Sequence, residues 1–417
     1  VKGPPLASWT SALSRSALQD LLVATAAPDV ISFALGLPAA ELFPKGGLGD
    51  AIARLLAGDP RALQYGPPSS ELRAFVARLM RRRGVACEPE QVFLTSGAQQ
   101  GMSLLARLLL EPGASVVLES CSYTGFFQAI APSGARHVPV PTSLTEGIDV
   151  ASVASALNGN PRPALIYAMS DGHNPTGASM TRAGRERLVA LAREAQVPIL
   201  EDDAYGMIAY DEEDLPALRA LDADWVFYLG SFSKTLAPGL RTGWIVAPER
   251  FIEPLASLKE SSDIDTATLG QRAVAAFVAS GAFDAHLSML RTEYAQRRDT
   301  MLAALARSFP GGTTWSRPRA GFFTWVELPD GRDAMRLFEA ALARERVAFL
   351  PGAAFAAEGA PPARSALRLN FSHGSPRVIE EGILRLSRAI EALDEERRSI
   401  PADGGEAMSR MREEGRP

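Results

Sequence analysis

The stretch SFSKTLAPGLR, from Ser231 to Arg241, places two hydroxyls, an amine and a guanidinium within one short span. Only four of the chain's 43 lysines and arginines are lysines: Lys2, Lys45, Lys234 and Lys259. Arginine stays protonated in proteins, whereas lysine can release its proton where its surroundings favour the neutral amine. A neutral amine is a nucleophile and forms a Schiff base with a carbonyl. Serines and an arginine suit a phosphate. Lys234, between Ser233 and a Pro-Gly turn, is therefore a candidate attachment point for a ligand carrying both a carbonyl and a phosphate.

Other polar groups gather near the same place. QVFLTSG (Gln91 to Gly97), ASVVLES (Ala114 to Ser120), PALIYAMS (Pro163 to Ser170), VPILEDD (Val197 to Asp203) and WVFYLGS (Trp225 to Ser231) read as buried strands. Each ends in small or polar residues, and ligands of open α/β sheets bind beyond the carboxyl ends of the strands. TSGAQQG opens a helix with small residues, so backbone N–H groups of Gly97, Ala98 and Gln99 can approach an anion. Alone, that segment is equally a tight turn. HNPTG (His173 to Gly177) alone is a turn with a helix start. EDDAYG (Glu201 to Gly206) alone is an N-cap or a carboxylate pair able to take a metal. Taken with Lys234, these segments describe a cofactor with an aldehyde and a phosphate, which is pyridoxal phosphate (PLP). Asp202 then supplies a carboxylate beside the ring nitrogen, keeping it protonated and the ring a better electron sink.

The elements that position these groups alternate short apolar runs with helical patterns such as AQQGMSLLARLLL and TRAGRERLVALAREA. That alternation predicts an α/β fold with a mostly parallel sheet covered by helices on both faces. Residues 43–281 are expected to form this large domain. Residues 282–395, opening with the long amphipathic pattern from Phe283 to Phe309, are expected to form a smaller α+β domain that residues 1–42 join. Residues 396–417 are charged and poor in apolar side chains, which predicts a disordered tail. With 47% hydrophobic and 22% charged residues over 417 positions, the composition is that of a soluble globular chain. A net charge of -5 leaves no basic footprint for nucleic acid. No apolar run is long enough to span a bilayer, and the N-terminus lacks a signal-peptide core. Cys87 and Cys121 make neither a disulfide framework nor a metal site. His137, His173, His286 and His373 lack ligand spacing, so no metal is expected. A reducing cytoplasm is the expected location. Cys121 is expected to be a buried inert thiol, Lys259 a solvated charge on a helix surface, and Trp244 a packing residue.

NPTG, DDAY and SFSKTLAPGLRTGW, in this order and spacing, resemble the class I/II aminotransferases of PLP fold type I. ISFALGLPAAELFP and LRLNFS resemble the branch that includes 2-aminoadipate and kynurenine aminotransferases. The resemblance implies transfer of an amino group from an α-amino acid to a 2-oxo acid by a ping-pong mechanism. It implies that Lys234 holds PLP as a Schiff base and carries the proton between the substrate Cα and the cofactor. Asp202 would pair with the pyridine nitrogen, Tyr205 and Asn174 would hydrogen-bond the ring oxygen, and Tyr123 would stack on the ring. Gly97, Ala98, Gln99, Ser231, Ser233 and Arg241 would form the phosphate end. Tyr65 would reach the phosphate of a neighbouring subunit in a homodimer. Arg368 would grip the substrate carboxylate, with Asn174 and Gly36 beside it. His173 would support its neighbours by hydrogen bonding.

Some positions depart from the family pattern: Leu35 in LGLP, Cys121 in ESCSY, Ala320 in PRAGFF, a shortened PPSSELR, and Gln19 where an arginine for the substrate side chain is expected. They cluster on substrate-facing segments and argue against an acidic side chain. Two other readings use the same residues. One is a PLP enzyme that directs the carbanion to β- or γ-elimination, replacement or carbon–carbon bond formation. The other is an aminotransferase-like transcription regulator, which the roughly forty residues before LFPKG, with no helix-turn-helix pattern, argue against.

Overall fold

In the computed structural model, the described residues are Thr10, Ala27, 29–210 and 215–399. Seven strands build the main sheet: β1 (Val92–Thr95), β2 (Ser115–Glu119), β3 (Arg136–Val140), β4 (Leu165–Ala168), β5 (Ile199–Asp203), β6 (Val226–Ser231) and β7 (Gly243–Val246). Their spatial order is β1-β7-β6-β5-β4-β2-β3. The register is parallel from β3 across to β6, and only β7 runs antiparallel to its neighbours. Strands β2, β4, β5 and β6 are buried along their whole length. Such continuous burial follows from helices on both faces.

Five of the seven strands match the apolar runs of the sequence. The other two, β3 and β7, do not. RHVPV carries two polar residues and a proline, and lies at the sheet edge where only one neighbour pairs with it. GWIV is short and opens with glycine, and its place depends on long-range pairing with β1 and β6. Trp244 in β7 is buried and packs on Phe232, with centroids 4.8 Å apart. A Cβ on Gly230 of the adjacent strand would lie 2.3 Å from that indole.

Helices flank the sheet. Among them, α1 (Ser70–Arg81) is capped by Ser69, whose hydroxyl accepts from Leu72 N. Helix α2 (Ala98–Leu109) follows β1 directly. In α3 (Arg182–Ala195), Thr181 caps the first turn by accepting from Gly184 N. The long α4 (Ala282–Ser308) leads to a four-stranded antiparallel sheet: β8 (Thr314–Trp315), β9 (Phe323–Glu327), β10 (Leu350–Pro351) and β11 (Ala366–Asn370). Its order is β8-β9-β11-β10, and α5 (Pro376–Ser399) packs along α4. The helix runs to Ser399, so residues 396–399, expected to be disordered, are helical. Residues 400–417 and Gln19 lie outside the described residues. Near the N-terminus, Ile31–Ser32 pairs in parallel with Val347–Ala348. The segment that follows brings Ala34 to Leu37 next to Asp202 and Ser231, where main-sheet strands end.

Candidate active site

A cavity of about 340 Å³ opens at the carboxyl ends of β4, β5 and β6. Lys234, Ser231 and Ser233 enter it from the end of β6 and the turn beyond. Asp202 comes from β5 itself, and Tyr205 from the loop that follows. Asn174 arrives on the loop after β4, Tyr123 on the loop after β2, and Ala98 and Gln99 at the start of α2. Arg241 lies just ahead of β7, and Arg368 reaches in from β11 of the smaller sheet. Gly36, with Ala34, Leu35 and Leu37, covers the cavity from the N-terminal segment. Thus twelve of the fourteen residues singled out in the sequence line one space. Gly97 is not in the lining and stands just ahead of Ala98 and Gln99, which are. Tyr65 lies in a different, shallow groove with Gly66, Pro67 and Pro68, and is 77% exposed.

The Asp202-Asp203 pair divides its work because successive strand residues point to opposite faces. Asp203 accepts from Arg83 Nε (3.0 Å), Tyr228 Oη (2.9 Å) and Gly206 N (2.6 Å), which makes it structural. Arg83 also bonds Asp171, which Arg185 grips with two nitrogens at 2.7 and 3.1 Å. Burial alone would raise Asp171, but Arg83 and Arg185 outweigh it and hold its carboxyl at about 2. This buried network ties the loop carrying Asn174 to the loop carrying Tyr205. Asp202 instead faces the cavity. Its Oδ2 accepts from Tyr167 Oη at 2.7 Å, and its buried Oδ1 has no protein partner. Burial pushes Asp202 up to about 6, opposed by the Tyr167 hydrogen bond, and its neighbour Asp203 adds to the rise.

Lys234 donates to the Gly36 carbonyl at 2.8 Å. Its side chain lines the cavity. Desolvation by the surrounding protein, then the positive charges of Arg368 and Arg241, lower its amine to about 8 despite Asp202. The neutral amine is therefore within reach near neutral pH, as a nucleophile requires. Arg368 is buried between the rings of Phe323 (4.1 Å) and Phe355 (4.7 Å). Its Nη1 donates to Asn174 Oδ1 at 2.8 Å and its Nη2 to the Ala34 carbonyl at 2.6 Å, while Nε is buried without a partner. Burial lowers its pKa to about 9, which leaves it a cation at neutral pH.

At the other end, Ala98 and Gln99 line the cavity, and no side chain caps the first turn of α2 that they open. Gly97 has φ 85°, and a Cβ there would lie 2.6 Å from an Arg241 guanidinium nitrogen. Arg241 Nη2 donates to the Ser96 carbonyl at 3.0 Å, which holds the cation over this turn. Lys259 braces the turn from behind. It is buried, bonding Asp263 at 2.8 Å and Gln100 Oε1 at 3.1 Å, and is not the solvated charge its sequence context suggests. Asp263, one turn on, and Gln100, far away in the chain, replace its water. Tyr123 sits over Gly125, whose Cβ would come 2.5 Å from the ring. Cys121, expected to be buried, is only half-buried, and desolvation raises its thiol to about 12. His173 is buried with Nδ1 2.7 Å from Thr176 Oγ1 and Nε2 2.9 Å from Glu119 Oε2. Among the described residues no cluster of His, Cys, Asp or Glu could hold a metal, and no single helix is long and apolar enough to cross a membrane.

The sequence did not single out Tyr167, Phe323, Phe355, Met102, Met169 or Arg83. Tyr167 gave the one available signal: a tyrosine inside a fully buried strand must satisfy its hydroxyl. The residues fit PLP. An unpartnered carboxylate oxygen stands ready for a ring N–H, a desolvated amine for an aldehyde, and Arg241 with an uncapped helix start for a phosphate. Sheet, cavity and lysine together define a PLP enzyme of fold type I. The chain belongs to the aminotransferase class I and II family, whose model matches residues 45–386. It is 37% identical over 400 residues to 2-aminoadipate transaminase of Thermus thermophilus, spanning 93% of this chain and 98% of that protein. The crystal structure of alpha-aminoadipate aminotransferase from Thermus thermophilus, complexed with N-(5'-phosphopyridoxyl)-L-leucine, superposes with a TM-score of 0.83 at 36% identity, covering 93% of this chain and 99% of that one. Kynurenine aminotransferase from Pyrococcus horikoshii superposes with a TM-score of 0.87 at 33% identity, over 93% and 97% of the two chains. The protein is a PLP-dependent aminotransferase, exchanging an amino group between amino acids and 2-oxo acids.

Proposed function

We propose that this aminotransferase acts on α-amino acids with apolar side chains, as a homodimer in the cytoplasm. The observation that carries the substrate class is the lining of the cavity. It includes Leu35, Leu37 and Phe323, and its described cations are Lys234, Arg241 and Arg368. Each of the three has another task, so among the described residues none is left to pair a side-chain carboxylate. An acidic side chain would lose its hydration there without gaining a partner.

Arg368 binds the substrate α-carboxylate, with Asn174 fixing the guanidinium from the side. Lys234 Nζ is the amine that anchors the cofactor and then takes the Cα proton and returns it. PLP, when bound, supplies the electron sink that stabilises negative charge at Cα. Asp202 holds a proton at the ring nitrogen, Tyr205 and Asn174 donate toward the ring oxygen, and Tyr123 covers the ring face. Arg241, Ser231, Ser233, Gln99 and the backbone of Gly97 and Ala98 hold the phosphate. The segment around Gly36 excludes water from above. Tyr65 completes the phosphate site of the partner, a role supported by its exposure and by its absence from the lining of this cavity. The unpaired thiols of Cys87 and Cys121 suit a reducing compartment.

The test is a comparison of kcat/KM for L-leucine, L-phenylalanine, L-glutamate and L-2-aminoadipate with one common 2-oxo acid. The apolar donors are expected to exceed the acidic ones by at least about tenfold. An acidic donor in the lead would place a further cation in the site and overturn the assignment.

A further inference from the structure

Tyr167 lies at the centre of β4, fully buried, with its ring stacked on Phe126 at 3.8 Å between centroids and 6° between planes. That packing needs only the ring. The hydroxyl serves a separate purpose, because Asp202 Oδ2 lies 2.7 Å away and is its partner. The adjacent carboxylate shows the contrast. Asp203 has Arg83, Tyr228 and a backbone N–H on its two oxygens, whereas Asp202 has one protein donor on one oxygen. We infer that Tyr167 is a positioning residue of the reaction: its hydroxyl fixes Asp202 by Oδ2 as a carboxylate and leaves Oδ1 aimed into the cavity for the cofactor's ring nitrogen. The inference rests on the reading that Asp202 pairs with that nitrogen.

The electrostatic surroundings agree. Asp202 is bonded by Tyr167 from β4 and senses the charges of Asp203 on its own strand, Lys234 from the turn after β6, and His173 from the loop after β4. Tyr123 and Tyr205 also sense its charge. Burial drives Asp202 toward the neutral acid, and the hydrogen bond from Tyr167 opposes that. Burial also pushes the Tyr167 phenol well up, so it keeps its proton and acts as the donor. Without the hydroxyl, Asp202 would be free to rotate and more readily protonated. A protonated Asp202 is a poorer partner for a positively charged ring nitrogen.

The experiment compares affinity for PLP with affinity for an analogue whose ring nitrogen is replaced by C–H, using refolding-competent apo-protein and equilibrium dialysis. Tyr167→Phe keeps the stacked ring. It is expected to lower the preference for PLP over the analogue by about tenfold, the loss of one hydrogen bond to a charged group. Affinity for the analogue should stay within about twofold. Holo-protein loaded with ring-15N PLP should show the nitrogen proton weakened in the variant. Partial misfolding would loosen both ligands and leave their ratio unchanged, so an unchanged ratio overturns the inference. Asp202→Asn separates this from the reading beneath it. If Asp202→Asn reduces the preference and Tyr167→Phe does not, Asp202 is the nitrogen's partner and the role of Tyr167 is refuted. If neither reduces it, the pairing of Asp202 with the ring nitrogen fails as well. If both reduce it, Tyr167→Phe should add nothing in the Asp202→Asn background.

Discussion

Arg368→Ala separates substrate recognition from cofactor binding more sharply than any other single change. In the native protein the guanidinium satisfies Asn174 Oδ1 at 2.8 Å and the Ala34 carbonyl at 2.6 Å, and lies between two phenyl rings. Truncation leaves two acceptors to be rehydrated and removes the ring contacts, each effect worth about 1–2 kcal/mol. Burial of the cation is itself unfavourable, as its lowered pKa shows, and its removal returns part of that loss. A net destabilisation of about 1–3 kcal/mol follows, which lowers Tm by a few degrees without unfolding the protein. The functional loss is larger. A desolvated two-pronged pair with a carboxylate is worth about 2–5 kcal/mol when one partner is cut, or about 30-fold to several-thousand-fold in kcat/KM. PLP should be held within about threefold of the native affinity, because, of the residues proposed to hold it, only Asn174 bonds Arg368, while Lys234, Asp202 and Arg241 do not. The assay measures kcat/KM for an α-amino acid and for the matching amine without its carboxylate, alongside PLP affinity by dialysis. The amino acid should lose most of its advantage over the amine. Equal losses for both, or a parallel collapse of PLP affinity, would refute the assignment of Arg368 as the carboxylate clamp.

Two further predictions test the frame around that site. Because Lys234 sits at about 8, loading of apo-protein with PLP should quicken as pH rises and level off just above 8, well short of the value for an ordinary lysine; absorbance of the Schiff base follows this directly. The neighbours set the sign: Arg368→Ala should move the midpoint up and Asp202→Asn should move it down. The same lowering makes Lys234 unfavourable to the folded apo-protein below about 8, and that penalty fades as pH rises toward the unfolded value of 10.5. Arg83→Met leaves Asp203 without its cation and weakens the hold on Asp171, both buried, and should cost about 3 kcal/mol with a clear fall in Tm. The exposed pair of its neighbour, Arg82 with Asp284, should cost at most about 1 kcal/mol when Arg82 is changed to Ala. Equal effects from the two arginines would contradict the weight given to burial.

The sequence revealed most of the site because its residues sit at strand ends next to glycines, prolines and small polar groups, which are local signals. Lys234 and Asn174 each follow a run that reads as a buried strand, Asp202 stands at the end of another, and all three meet in the cavity. What stayed hidden depends on contacts between distant segments. Strand β7 is short, and only β1 and β6 make it a strand. Lys259 looked solvated because Gln100 lies 159 positions away. The sequence pointed to Asp202 and left Asp203 without a role, and only the alternation along β5, with Arg83 bonding Asp203 and Tyr167 bonding Asp202, shows what separates the two aspartates. Nothing local to Phe323 or Phe355 shows that they flank the Arg368 guanidinium.

The central claim is that Lys234 and its cavity carry out amino-group exchange. The most direct test mixes holo-protein with L-leucine in the absence of any 2-oxo acid and identifies the cofactor by mass and absorbance. Conversion of PLP to pyridoxamine phosphate, with one equivalent of the 2-oxo acid released and none formed by Lys234→Ala, is the predicted result. Persistence of the aldehyde form while the amino acid is consumed, or undiminished conversion by Lys234→Ala, would contradict it.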